Sequence, residues 1–192
     1  MMRDRAGEAS STHFHAVRFY RNTESLARVV AEFVARGVAA GQPAVLIATP
    51  SHSAAIERAI GALGIDAAAL RAAHRFTVLD ADAVLHEILV DGMPSAERVR
   101  AVIAPVLDEA AARADGRPVR AYGEMVDVLW KAGRTLAATR LEILWNGLRS
   151  THHFELLCGY AMGNLYEDAA IDEICGHHTH VMSASGETAV IA

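Results

Sequence analysis

The chain has 192 residues, 52 % of them hydrophobic, with a formal net charge of −5 and a sequence pI of about 6.0. That much apolar material excludes general disorder and is ample for one α/β domain. The acidic balance and lack of any basic run give no electrostatic case for direct nucleic-acid binding, and no apolar run approaches the roughly 20 residues needed to span a bilayer.

Residues 1–12 are small and polar and read as a mobile arm. A single domain is expected over 13–182, and 183–192 reads as a flexible tail. No secretory leader is evident. Cys158 falls in an apolar strand and Cys175 in a helix, with no CxxC pair, so a reduced, cytoplasmic protein is expected.

Ala16 to Tyr20 is the first strand candidate. Asn22 or Thr23 offers an N-cap for a helix to about Ala40, whose stripe of Leu26, Val29, Val30, Phe33 and Val34 has helical spacing. Ala44 to Ala48 is an unbroken apolar run, as in a parallel strand covered on both faces. The turn after it, Thr49-Pro50-Ser51, stands where a P-loop would sit. It has neither the glycines nor the Lys-Ser/Thr pair that hold phosphates. Phe76 to Leu79 is a third strand, followed by a helix to about Leu89 and a turn at Asp91-Gly92-Met93-Pro94. Ser95 caps a long helix to about Ala114. Val119 to Gly123 is the fourth strand. Two helices separated by Gly133 follow, then a fifth strand, Phe154 to Tyr160, and a last helix from about Tyr166 to His178. Alternating strands and helices predict a three-layer α/β fold with a mainly parallel sheet.

In such sheets ligands sit outside the carboxyl ends of the strands. That places Glu124, Thr49 and Asp80 together, and a pocket lined by Glu124 is expected there. The alternative role for Glu124 is to cap the helix that follows it. Asp127 could join the site or face solvent. Trp130 and Trp145 suit the core, with a ligand wall as the second use of Trp130. Glu142 and Asn146, four residues apart, suggest a polar network in which Asn146 or Arg120 partners a buried carboxylate. Cys175, His178 and His180 are weak metal candidates, since they crowd one helix end. His152, His153 or Cys158 would have to complete the set.

The chain resembles the MEDS domain (methanogen/methylotroph, DcmR sensory domain). The matching residues include His15 with Phe19-Tyr20, Gly37 to Gln42, Ala48-Thr49-Pro50, Asp91 to Pro94, Val119 to Val126, Leu129-Trp130, Leu141 to Asn146, Leu156 to Tyr160, and Ile174-Cys175 through Val181. Gly159 departs from the alanine usual there, and His177 from an acidic residue. The resemblance implies a RecA/KaiC-like fold that has lost its P-loop. It also implies a non-catalytic sensory role in which a small molecule or partner protein is bound and a separate regulator of transcription or two-component signalling responds. It adds His15 and Tyr20 to the expected ligand-binding set of Glu124, Thr49, Asp80, Trp130, Glu142 and Asn146. No cofactor is required by the sequence, and a homodimer is compatible with it. A metal-assisted hydrolase using Glu124 with histidines, or residual nucleotide binding, are the competing functions.

Overall fold

The structure, a computed structural model, describes residues 14–163, 168–183 and 185–191. The expected N-terminal arm lies outside them. The chain runs β1 (His15–Tyr20), α1 (Thr23–Ala39), β2 (Ala44–Ala48), α2 (Pro50–Ala62), α3 (Ala67–Ala72), β3 (Phe76–Asp80) and α4 (Ala81–Ile88). A two-residue hairpin follows, β4 (Leu89–Val90) and β5 (Met93–Pro94), and then α5 (Ala96–Ala112), β6 (Val119–Gly123) and α6 (Met125–Lys131). The remainder is α7 (Thr135–Arg149), β7 (Phe154–Ala161), α8 (Asp168–Cys175), β8 (His180–Met182) and β9 (Thr188–Val190).

Local chemistry sets these boundaries. The Asn22 side chain accepts from Ser25 N–H at 2.8 Å and starts α1, while Asp80 accepts from Ala83 N–H at 3.0 Å and starts α4. Gly133, at φ 72°, separates α6 from α7 in a conformation that costs other residues energy. Between β4 and β5, Asp91 and Gly92 both have positive φ, the requirement of a two-residue primed turn.

The strand order is β3-β2-β6-β7-β1-β8-β9. All pairs are parallel except β8 with β9. The sheet is therefore mainly parallel, as expected. The short elements α3, β4, β5 and β8 were not among those expected, and two further departures lie near the C-terminus. Residues 188–190, read as part of a tail, add the antiparallel edge strand β9. The last helix ends at Cys175, not His178, because Gly176 and His177 turn back onto Asp172 and Ile174; its expected start at Tyr166 lies outside the described residues.

The sheet has a separate core on each face, which makes three layers. Leu26, Val30 and Phe33 of α1 with Ile56 and Ile60 of α2 cover one face. Ile103 and Leu107 of α5, Met125 and Leu129 of α6, and Leu141 and Trp145 of α7 cover the other. Alternation along β7 sends Leu156, Cys158 and Tyr160 to the α7 side and Leu157 to the α1 side.

Gly159 lies on the α1 side of β7, and a Cβ there would stand 2.7 Å from the hydroxyl of Tyr122. That hydroxyl is buried without a hydrogen-bond partner among the described residues. Gly159→Ala should cost about 1–3 kcal/mol through overpacking, and Tyr122→Phe should be neutral or stabilising because it removes an unpaired polar atom. Combined, Tyr122→Phe should recover much of the loss, a coupling read from urea unfolding of the four proteins.

Candidate functional site

β1 leads leftward through α1 to β2, whereas β7 leads through α8 to β8 on the other side of β1. These two connections cross, whereas β2 leads leftward through α2 to β3 and β6 leads rightward through α6 and α7 to β7, with their helices on opposite faces, so the topological switch point of the sheet lies between β2 and β6. At the carboxyl end of β1, Tyr20 donates from its hydroxyl to Asp127 Oδ2 at 2.7 Å. Ala161 N–H donates to Asp127 Oδ1 at 2.9 Å, and Lys131 Nζ lies 2.6 Å from Oδ2. Asp127 is fully buried. The carboxylate thus ties β1, α6 and β7 at one point, and the solvent-facing alternative for Asp127 does not hold.

Glu124 sits one strand over, at the end of β6. It is 1 % exposed. It stands at the N-cap position of α6, yet its side chain makes no capping bond. It turns toward the β2–α2 junction instead, where Thr49 donates from N–H at 3.0 Å and from Oγ1 at 3.1 Å. His52 Nδ1 lies 2.7 Å from Glu124 Oε1. A carboxylate oxygen can only accept, so Nδ1 carries the proton. The other ring nitrogen, Nε2, meets Thr23 Oγ1 at 3.0 Å. His52 was not anticipated from the sequence; its place three residues beyond Thr49, in the first turn of α2, is the signal that could have found it.

A cavity of about 790 Å³ opens beside this relay. Asn22 and Thr23 from the start of α1, Arg28 one turn on, and Ala55, Arg58 and Ala59 from α2 line it. Glu124 does not line it. The expected pocket is therefore displaced: the carboxylate lies beneath the cavity and reaches it only through His52 and Thr23. Thr49 joins the Glu124 network and Tyr20 the Asp127 network. Asp80 does neither; it is exposed and caps α4. Trp130 is half-buried on the α6–α7 core and meets Tyr160 edge-on at 5.8 Å, which places it in packing and away from the cavity wall. Trp145 is core, as expected.

A second cluster gathers at the amino half of β1. His15, Glu142, Cys158 and His178 are all buried, with one candidate donor atom from each within 4.8 Å of the others. His15 Nε2 lies 3.3 Å from Glu142 Oε2 and 3.5 Å from Cys158 Sγ. Cys158 Sγ lies 3.7 Å from Glu142 Oε2, and His178 Nε2 lies 3.4 Å from Glu142 Oε1. The Tyr160 hydroxyl donates to Glu142 Oε1 at 2.8 Å. Burial lowers the His15 pKa. Burial, then the Glu142 charge, pushes the Cys158 thiol well up. Burial alone would raise the Glu142 carboxyl, but the imidazoles of His178 and His15 outweigh it and hold it below the usual carboxylate range.

Of the three expected metal candidates only His178 enters this cluster, and of the residues considered to complete the set only Cys158 does. Cys175 is half-buried at the end of α8, and His180 stacks on Phe14 at 4.9 Å. Asn146 joins at one remove, facing His15 Nδ1 at 3.0 Å. Arg120, considered as a partner for Glu142, pairs with Glu155 at 3.0 Å and Gln42 at 2.9 Å.

A model of the MEDS family (MEthanogen/methylotroph, DcmR Sensory domain) matches residues 14–179. The chain belongs to this family. No curated protein matches it in sequence. Among solved structures, this MEDS chain is similar to the uncharacterised protein PH0321 of Pyrococcus horikoshii, crystallised in complex with an unknown peptide. The TM-score is 0.58 at 15 % identity, over 93 % of this chain and 84 % of that one. At that identity the likeness is one of fold. No helix among the described residues is long and apolar enough to cross a membrane.

Two acidic residues considered for the site, Asp127 and Asp80, should separate sharply in this MEDS domain. Asp127→Ala removes the acceptor of both the Tyr20 hydroxyl and Ala161 N–H and should cost about 2–4 kcal/mol. Asp80→Ala removes one exposed cap and should cost about 1 kcal/mol. Chemical denaturation midpoints at a constant m-value measure both.

Proposed function

We propose that this MEDS domain is a non-catalytic sensory module that takes a small molecule in the cavity between α1 and α2. The observation that carries the reading is the relay from the cavity wall at Thr23, through His52, to buried Glu124. The cavity's α1 wall begins just beyond the carboxyl end of β1, the side of open α/β sheets on which ligands are received. A ligand hydrogen-bonding to Thr23 competes for the hydroxyl that faces His52 and so alters the support of a buried carboxylate. The lining combines Ala55 and Ala59 with Arg28 and Arg58, which suits a short apolar body carrying an anionic or oxygen-rich end.

The chemistry of the loops supports binding over turnover. Glu124 is engaged by Thr49 as well as His52, and the hydroxyl–imidazole–carboxylate line of Thr23, His52 and Glu124 is read as hydrogen-bonded support for the buried carboxylate. The loop after β1, Arg21-Asn22-Thr23-Glu24-Ser25, has no glycine and no lysine. Neither does Thr49-Pro50-Ser51 after β2. Both lack what cradles phosphate, in keeping with descent from a RecA/KaiC-like nucleotide-binding fold whose site has degenerated. The output is a separate regulatory protein of transcription or two-component signalling, in the cytoplasm, with the domain acting alone or as a homodimer.

Short-chain carboxylates are the probe. In thermal-shift titrations at least one should raise the Tm of the full chain in a saturable way. Ala59→Trp, which fills the cavity from a half-buried position, should abolish that shift while the protein still unfolds cooperatively. No shift with any member of the series, or a shift that survives Ala59→Trp, rejects this cavity as the ligand site.

A further inference from the structure

We propose that His15, Glu142, Cys158 and His178 form a four-ligand site for a divalent transition metal of borderline softness, zinc foremost. The donor set is two imidazoles, one carboxylate and one thiol, a combination that suits such metals and not calcium or magnesium.

Distances support it. Metal bonds of about 2.0–2.1 Å to nitrogen and oxygen and about 2.3 Å to sulfur set tetrahedral edges of roughly 3.3 Å between nitrogen and oxygen, and roughly 3.5 Å from sulfur to either. The observed His–Glu separations are 3.3 and 3.4 Å. The two contacts of sulfur are 3.5 and 3.7 Å. These four separations lie within a few tenths of an ångström of tetrahedral edges, with His15 and Cys158 facing Glu142 Oε2 and His178 facing Oε1, and one donor atom from each residue lies within 4.8 Å of the others.

The second layer of contacts fixes both imidazoles for this task. His178 Nδ1 lies 2.7 Å from the carbonyl oxygen of Ile174. A carbonyl only accepts, so Nδ1 is the protonated nitrogen, and in the neutral ring Nε2 presents its lone pair to the cluster. Asn146 Nδ2 donates to the His177 carbonyl at 3.0 Å. Its Oδ1 consequently faces His15 Nδ1 at 3.0 Å and accepts from it, which directs His15 Nε2 inward too. His178 Nε2 is the independent sign of a missing partner: it is fully buried, aimed at Glu142, and has no hydrogen-bond partner among the described residues. Lone pairs on two imidazoles and a carboxylate converge there, with only the Cys158 thiol proton and the Tyr160 hydroxyl proton among them. A divalent cation would resolve that repulsion, and with the thiol proton released, carboxylate and thiolate would neutralise it inside the core.

All four vertices come from the protein, so the site is closed and its role is structural. It joins β1, α7 and β7 to the segment between α8 and β8, and so fastens the C-terminal β8–β9 hairpin to the sheet. The cavity lies beyond the opposite end of β1, so the cavity and metal tests can fail separately.

The test uses the full chain, expressed without a histidine tag. Elemental analysis by mass spectrometry should find about one zinc or other first-row metal per chain. Exchange with cobalt(II) should produce intense visible bands of tetrahedral cobalt and a near-ultraviolet thiolate-to-cobalt band. Cys158→Ser should lose the thiolate band, and Cys175→Ser should keep it. Should Cys158→Ser fail to fold, the cobalt spectra of the unaltered chain and of Cys175→Ser decide. Folded wild-type protein that gives no tetrahedral cobalt spectrum, or a thiolate band that vanishes with Cys175→Ser, overturns the proposal.

Discussion

The parallel pairing of β1 with β7 aligns His15 with Leu156 at one end and Tyr20 with Ala161 at the other. Both polar centres depend on it. At the carboxyl end it sets the Tyr20 hydroxyl and Ala161 N–H around one oxygen pair of Asp127. At the amino end it sets the imidazole of His15 against the thiol of Cys158. A slip of one residue along either strand would turn His15 and Cys158 to opposite faces of the sheet and dissolve the cluster. The register is held by the two-sided core, because the same slip would expose the α1 and α7 faces to each other's side chains.

Three carboxylates, Glu124, Asp127 and Glu142, lie at 1 % exposure or less. An ionised carboxylate in such surroundings is costly unless its oxygens are occupied. The chain meets that cost in distinct ways. Asp127 receives a hydroxyl, a backbone N–H and a lysine that reaches in from the surface. Glu124 receives the first residues after β2 and the imidazole of His52. Glu142 is the exception: its surroundings are ring nitrogens, a phenol and a thiol. The first two carboxylates are satisfied by ordinary donors. The third is surrounded by groups whose common feature is the capacity to bind a metal.

Much of the fold was legible because its signals are local. The unbroken apolar run of β2, the cap at Asn22, the heptad-like stripe of α1 and the glycine stop before α7 each depend on residues within a few positions. Strand order is a different matter. Nothing in the sequence states that β6 and β7 insert between β2 and β1, so which strand ends are neighbours could not be read from it. The same gap explains the cluster. Neighbours in sequence, Cys175 and His180, drew attention to the end of α8, while the structure selects His178 and brings partners from 20 to 163 positions away. Glu142 and Asn146 were visible as a pair because helical spacing is local; Cys158 was visible as one of three residues that could complete a metal set, with nothing in the sequence to choose among them. The edge strand β9 escaped because a short polar segment, Ser183 to Gly186, precedes it and resembles a frayed end.

Coordination by two imidazoles, a carboxylate and a thiolate is the strongest chemical claim these packing relations lead to. X-ray absorption at the metal edge of freshly purified chain addresses it most directly. The account predicts a four-coordinate shell with one sulfur at about 2.3 Å and nitrogen or oxygen neighbours at about 2.0–2.1 Å. A shell of light atoms alone, with no sulfur, would contradict it.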